Sequence, residues 1–190
     1  MTLAPLVLVS GPSGSGKSTL IRAAITRSKT PLRLAVSATT RDPRPGEVDG
    51  VDYHFWTPEQ FQEHLAGGGF LEHAQVHGKH YYGTPCGEVD GYRERGVGVI
   101  LDIDVQGAAQ VRPLFPDHLS IFICLADPDT YARRLRLRGA DSEETIARRM
   151  QTAARELDRV SEYQYVIYND DLVPAVRQFL ELVERHRTHP

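Results

Sequence analysis

Five runs of apolar residues punctuate the chain: LVLV at 6–9, LRLAVS at 32–37, VGVILDID at 97–104, LSIFICL at 119–125 and QYVIYN at 164–169. They are nearly continuous rather than alternating, the pattern of strands covered on both faces. Between them, apolar positions recur at helical spacing, which predicts helices at about 17–28, 86–95, 105–114, 128–137, 142–160 and 171–187. Strand-length runs alternating with helices predict an α/β fold built on a parallel sheet. No internal repeat, low-complexity tract or long linker interrupts the pattern.

Two stretches break the alternation. Residues 38–84 are rich in Gly, Pro, His and aromatics, with one short helix expected at about 58–65. They read as a small lobe of antiparallel strands inserted between core elements. Residues 128–158 are crowded with arginines, in RRLRLRG and then SEETIARRMQTAAREL. Ile146, Met150, Ala153, Leu157 and Val160 make one apolar stripe along the second segment, and Asp141 followed by Glu144 predicts a capping box at its start. The stripe accounts for packing. It leaves the arginines unexplained.

Composition narrows the classes. With 190 residues, 41% hydrophobic and 25% charged, the chain suits one compact globular domain with a sizeable core. The net charge of −3 argues against a general nucleic-acid binder, so any positive site is local. Cys86 and Cys124 have no metal-ligand spacing. The opening MTLAPLVLVS lacks a basic flank and is too short to span a bilayer, so it reads as a strand rather than a leader. A cytoplasmic protein with no membrane or nucleic-acid partner is expected.

Chemistry enters directly after the first strand. GPSGSGKST comprises Gly11, Pro12, Ser13, Gly14, Ser15, Gly16, Lys17, Ser18 and Thr19, and runs into LIRAAI. This is G-x-x-x-x-G-K-[ST] between a strand and a helix, the context a P-loop requires. Its glycines permit close backbone approach, its N–H groups and helix end surround a phosphate, Lys17 reaches the β- and γ-phosphates, and Ser18 offers a hydroxyl to Mg²⁺. The expected ligand is a nucleoside triphosphate with Mg²⁺ as cofactor. Asp102 and Asp104, at the end of VGVILDID, are expected on one face of that strand, where buried carboxylates call for cations or donors.

A second anion site is suggested by SATTRDPRPGEVDG, where Arg41 and Arg44 lie three apart in a segment too rich in Pro and Gly for a helix. The guanidinium fork matches phosphate oxygens. Two unit charges about 4 Å apart repel by about 4 kcal/mol at an effective dielectric of about 20, so transfer between two phosphates needs cations around both. The lobe arginines and those of 133–149 can supply them, closing on a shared centre that excludes water.

GPSGSGKST, SATTRDPRPGEVDGVDYHF, FLEHAQ, YYGTP, ILDIDVQG, RGADSEETIARRM and NDDL resemble, in order and spacing, the guanylate kinase family over roughly residues 5–185. The resemblance implies a P-loop core (1–37, 85–127 and 159–190), an inserted mixed or antiparallel lobe for the nucleoside monophosphate (38–84) and a helical lid (about 128–158). It implies direct in-line transfer of the ATP γ-phosphoryl group to GMP or dGMP, with Mg²⁺, by a monomer or homodimer. By motif, Arg41, Arg44, Tyr53 and Tyr82 correspond to holders of the GMP phosphate, and Ser37, Glu72, Thr84 and Asp104 to readers of guanine. Asp102 falls beside the metal with Ser18, directly or through water. Arg134, Arg138 and Arg149 fall at lid and phosphate-bridging arginines, and Asn169 near the adenine pocket. Lys17, Arg41, Asp102 and the three lid arginines make up the implied catalytic set, and no histidine has a role.

One departure stands out. GKHYYGT at 78–84 is one residue longer than the family's G-N-Y-Y-G-T, so the hairpin either bulges, with His80 as filler, or shifts the register of Tyr81 and Tyr82. Two other functions remain open on the residues alone. A P-loop kinase for another phosphorylated small molecule explains the P-loop and arginines but gives no role to Glu72 and Thr84. A phosphopeptide-binding scaffold module explains the lobe but not the intact Gly16–Lys17–Ser18.

Overall fold

The first apolar run becomes the middle of a sheet. In a computed structural model, which describes residues 3–76, 79–137 and 142–188, strand β1 (Leu6–Ser10) is buried throughout. Its side chains alternate between two cores. Val7 and Val9 face Leu20, Ile21 and Ala24 of helix α1 (Lys17–Arg27) and Phe179 and Val183 of α7 (Leu172–Thr188). Leu6 and Leu8 face Val105, Ala108 and Val111 of α4 (Val105–Val111). A strand clad on both faces has no solvated side, which is why the run carries no polar alternation.

Every neighbour in this sheet is parallel. The order is β2 (Leu32–Leu34), β7 (Gly98–Asp102), β1, β8 (Leu119–Cys124) and β9 (Tyr165–Tyr168). From β1 the chain passes through α1 to β2 on one side, whereas from β8 it passes on to β9 on the other, so a crevice opens at the carboxyl ends of these two adjacent strands, where open α/β sheets hold ligands. The P-loop segment sits there.

A second sheet of four strands lies outside the first, in the order β4 (His54–Phe55), β3 (Ala38–Thr39), β6 (His80–Pro85) and β5 (Phe70–Val76). It is mixed: β3 pairs parallel with β4, and the remaining pairs are antiparallel. Helix α2 (Pro58–Ala66) closes one face, started by Pro58 and a capping box between Thr57 and Gln60. Its buried Phe61 stacks on Phe70 and Tyr81, with ring centroids 4.4 and 5.4 Å apart. Where this sheet meets the core, Gln110 of α4 bonds both the N–H and the carbonyl of His73.

Several expectations need correction. The run at 32–37 leaves the first sheet early, because the Val36 N–H turns to the Glu88 carboxylate (3.0 Å) and the chain enters the second sheet at Ala38. The helix expected at 86–95 is broken into a 3₁₀ turn, Cys86–Glu88, and α3 (Asp90–Glu94), with Gly87 and Gly91 weakening it. The strand expected to reach residue 104 ends at Asp102, and Asp104 caps α4 instead, so the shared-face argument for the two acids does not hold. The stretch expected as a lid forms two helices, α5 (Pro128–Leu137) and α6 (Glu143–Leu157). The cap of α6 is Ser142, whose hydroxyl accepts from the Thr145 N–H. Asp141, expected in that role, lies outside the described residues.

Candidate active site

The loop between β1 and α1 is shaped by what a side chain would strike. At Gly11, φ is 145° and a Cβ would stand 2.0 Å from the Ile123 carbonyl of β8. At Gly16, φ is 84° and a Cβ would stand 2.5 Å from the Asn169 side chain. Both positions exclude other residues on conformation and on space. Helix α1 has no side-chain cap at its N-terminus, leaving its first N–H groups free for an anion.

Around this loop the expected residues converge. Lys17 donates to the Gly11 carbonyl at 2.6 Å, which folds its ammonium back over the loop. The Ser18 hydroxyl lies 3.5 Å from the Asp102 carboxylate. Burial pushes the Asp102 carboxyl above its ordinary range, with Lys17 and Ser18 opposing that rise. Asn169 donates to the Ser15 carbonyl at 2.8 Å, and Arg134 bridges the carbonyls of Ser15 (3.4 Å) and Asn169 (3.1 Å). From α6, Arg149 donates to the Ser13 hydroxyl at 3.3 Å. Pro12 accepts the Ser15 N–H at 3.1 Å, closing the loop's first turn. A cleft of about 390 Å³ opens here, lined by Gly14, Gly16, Thr19, Arg134, Asn169 and Leu172 among others.

A separate, larger cleft of about 550 Å³ lies between the two sheets, lined by residues that include Ser18, Asp102, Asp104, Ser37, Tyr53, Glu72 and Tyr82. Glu72 is 7% exposed and accepts from the Thr84 hydroxyl at 2.7 Å. Ser37 lies 3.4 Å from that hydroxyl, extending the polar chain. Burial pushes the Glu72 carboxyl up to about 7; the Thr84 hydroxyl opposes this and the Asp104 charge adds to it. One oxygen of Asp104 accepts the N–H groups of Gln106 and Gly107 at 2.9 and 2.7 Å. Gly107 leaves room for that carboxylate, since a Cβ there would stand 2.8 Å from an oxygen of Glu72 and push it aside.

At the lobe end, Arg41 donates to the Tyr82 hydroxyl at 3.3 Å, and Tyr53 meets Tyr82 edge to face at 5.9 Å. Ala74 pairs with Tyr82, Gln75 with Tyr81 and Val76 with His80, so the register aims Tyr82 at Arg41 and Tyr81 at Phe61. The irregularity in this hairpin falls between Phe70 and Glu72, and His80 is a paired strand residue rather than a bulge filler. Arg44 is exposed and gives its backbone N–H to Glu47. Arg138 lies outside the described residues.

Two acids escaped the sequence reading. Glu47 takes both a guanidinium N–H pair from Arg41 and the Arg44 N–H; its signal was an acid three positions after Arg44 in a Pro-Gly turn. Glu156 has a buried carboxylate oxygen without a hydrogen bond, and burial pushes its carboxyl up to about 7, with Lys17 opposing and Asp104 adding. Its spacing of seven from Arg149 puts both on one face of α6, which was the available clue.

Comparison with known proteins supplies the context for this geometry. The guanylate kinase family model matches residues 3–186. A guanylate kinase of Nitrosococcus oceani is 46% identical over 182 residues, 96% of this chain and 89% of that protein. One from Vibrio parahaemolyticus is 47% identical over 183 residues, 96% and 88% respectively. Among solved structures, a guanylate kinase from Anaplasma phagocytophilum superposes with a TM-score of 0.77 at 27% identity, covering 98% of this chain and 87% of that one.

Proposed function

Since this chain belongs to the guanylate kinase family, and so transfers a phosphoryl group from ATP to GMP to give ADP and GDP, we propose how its residues divide the work. The 390 Å³ cleft against the P-loop takes ATP, and the 550 Å³ cleft between the sheets takes GMP or dGMP. The observation that carries this division is that one cleft is lined both by the buried Glu72 and by Ser18 and Asp102 beside the P-loop. A guanine held at Glu72 therefore shares its space with the phosphate-transfer centre.

Guanine offers an N1–H and an exocyclic NH₂ side by side, and a carboxylate accepts from both. Adenine has no N1–H and would leave Glu72 buried with an unmet acceptor, the kind of mismatch that discriminates by up to about 10⁴–10⁵. Thr84, Ser37 and Asp104 complete the base site. Arg41, Arg44, Tyr53 and Tyr82 hold the GMP phosphate. That phosphate has a second pKa of about 6 and is already nucleophilic near neutral pH, so no catalytic base is needed. Its oxygen attacks the γ-phosphorus in line, the bond to the β–γ bridging oxygen breaks, and ADP leaves. Lys17, Arg134, Arg149 and Arg138 balance the charge, and closure of α5 and α6 excludes water.

Ser18 and Asp102 suit Mg²⁺, a hard cation that takes oxygen donors and completes its shell with phosphates and water. Two protein oxygens 3.5 Å apart, one on a half-buried carboxylate, fit that pattern. Among the described residues no group of three or more His, Cys, Asp or Glu side chains is arranged to hold a metal. When bound, Mg²⁺ supplies charge neutralisation between the β- and γ-phosphates. A cytoplasmic location belongs to the same proposal, supported by the free thiols Cys86 and Cys124. No helix among the described residues is long and apolar enough to cross a membrane.

A coupled assay with ATP, Mg²⁺ and either GMP, dGMP, AMP, UMP or ribose 1,5-bisphosphate tests the assignment. ADP is expected to form rapidly with GMP, more slowly with dGMP and scarcely with the others. Equal turnover of AMP and GMP would reject the base site.

A further inference from the structure

Arg41 is held on every side before any ligand arrives. Its Nε donates to the Tyr82 hydroxyl (3.3 Å), one terminal nitrogen to the Asp42 carbonyl (2.6 Å), and the other to both oxygens of Glu47 (2.9 Å each). The guanidinium also lies 5.6 Å from the Tyr53 ring centre and 5.8 Å from that of Phe55. Glu47 does more than neutralise it. The same carboxylate accepts the Arg44 N–H at 2.7 Å, while the Glu47 N–H donates to the Arg44 carbonyl at 3.0 Å. Gly46, at φ 89°, lets the chain turn back so that Glu47 reaches both. Residues 41, 44 and 47 thus form one bracket, with side chains of Arg41 and Glu47 only 14% and 20% exposed.

We propose that Glu47 is a positioning residue for the acceptor phosphate, fixing the Arg41 fork and the Arg44 backbone before GMP binds. This rests on the reading that Arg41 holds that phosphate. An arginine left to itself samples many rotamers, and ordering it on binding weakens affinity; a fork fixed in advance avoids that loss. Glu47 borders the cleft assigned to GMP, but its carboxylate oxygens are taken by Arg41 and the Arg44 N–H. Its effect passes through Arg41 and is therefore expected in the KM for GMP, with the KM for ATP unchanged.

The test is a double-mutant cycle on the full chain, measuring both KM values and kcat for Glu47→Gln, Arg41→Ala and the pair, with thermal melts alongside. Gln keeps the shape and removes the charge. Loss of a charge-assisted bond predicts a rise of about tenfold in the KM for GMP, with kcat and the KM for ATP within about twofold. In the Arg41→Ala background the same change is expected to add less than about twofold, because the group it acts through is gone. A full tenfold effect in that background would mean a role independent of Arg41 and overturn the proposal. A lowered KM for GMP in Glu47→Gln would mean that the carboxylate competes with the phosphate, which also overturns it. If Arg41→Ala raises the KM but Glu47→Gln does not, the proposal alone fails. If Arg41→Ala changes nothing, the phosphate assignment fails and this inference with it.

Discussion

Replacing Glu72 by Gln should make the protein more stable and less able to use GMP. In the free protein this carboxyl is 7% exposed and raised to about 7 from an ordinary 4.5. Its folded value lies above its unfolded one, so the folded state favours the protonated form. The resulting stability is fully present below about pH 4.5 and is lost as pH rises through about 7. Each pH unit of that gap corresponds to 1.36 kcal/mol, so the whole window from 4.5 to about 7 amounts to about 3 kcal/mol. Gln is neutral throughout and avoids the loss. Its carbonyl keeps the bond from Thr84, and its NH₂ would face the charge of Asp104 instead of a second carboxylate.

At pH 8 the variant is therefore expected to melt higher than the parent by about 6–12 °C, using about 2–4 °C per kcal/mol for a chain of this size. At pH 4.5 the gap should nearly close. The measurement is a pair of calorimetric or dichroism melts across pH 4.5–8. Function should move the other way, because Gln cannot accept from both guanine donors; kcat/KM for GMP is expected to fall at least about 100-fold. A variant that melts no higher than the parent at pH 8, or a difference independent of pH, would refute the burial argument.

Three further outcomes follow from the same geometry. For the parent protein, kcat/KM for GMP should decline below about pH 7 as Glu72 takes up a proton, with GMP binding at pH 6.5 releasing protons in calorimetry run in two buffers; binding without proton release would count against it. Lys17→Ala should lower kcat by about 10³-fold or more, since it removes the ammonium that folds over the loop onto the Gly11 carbonyl; near-normal turnover would discredit its phosphate role. Gly11→Ala, whose Cβ would meet the Ile123 carbonyl at 2.0 Å, should destabilise by about 2–4 kcal/mol in urea unfolding, and a loss under about 0.5 kcal/mol would show that the loop can shift away.

How much of this was legible beforehand depended on distance along the chain. The P-loop was plain because strand, glycines, Lys17 and helix are contiguous. The three central strands were plain because strands buried on both faces read as continuous apolar runs, whereas the edge strands β2 and β9 are only partly buried. What failed were points decided by remote partners. The run at 32–37 was divided between two sheets by Glu88, some fifty residues away, which bonds the Val36 N–H and pairs with Arg33 and His54. Asp104 left its expected strand because the start of α4 offered it two N–H groups. The pairing of Tyr82 depended on β5 and could be settled only by the register of the hairpin. Glu47 was overlooked for a different reason: next to two arginines an acid reads as surface balance until its bonds are seen.

The free protein also explains how a chain of net charge −3 can host two polyanions. Its site cations are not bare. Lys17 rests on the Gly11 carbonyl, Arg134 on two backbone carbonyls, and Arg41 on Glu47, a carbonyl and a hydroxyl. Each cation is thus oriented by acceptors weaker than, or shared with, the phosphate oxygens it is proposed to meet. Glu72, meanwhile, is buried and Asp102 and Glu156 are half-buried, and in all three desolvation opposes ionisation. On the proposed assignment, guanine donors, Mg²⁺ and the lid arginines would each favour the ionised form of one or more of them. Under that assignment substrate and protein complete each other's charge: phosphates would satisfy the arginines while the base and the metal would satisfy the acids. Either nucleotide alone would leave part of that balance unmet, so the assignment predicts that the two clefts are energetically dependent on one another, with GMP binding tighter when the ATP cleft is filled.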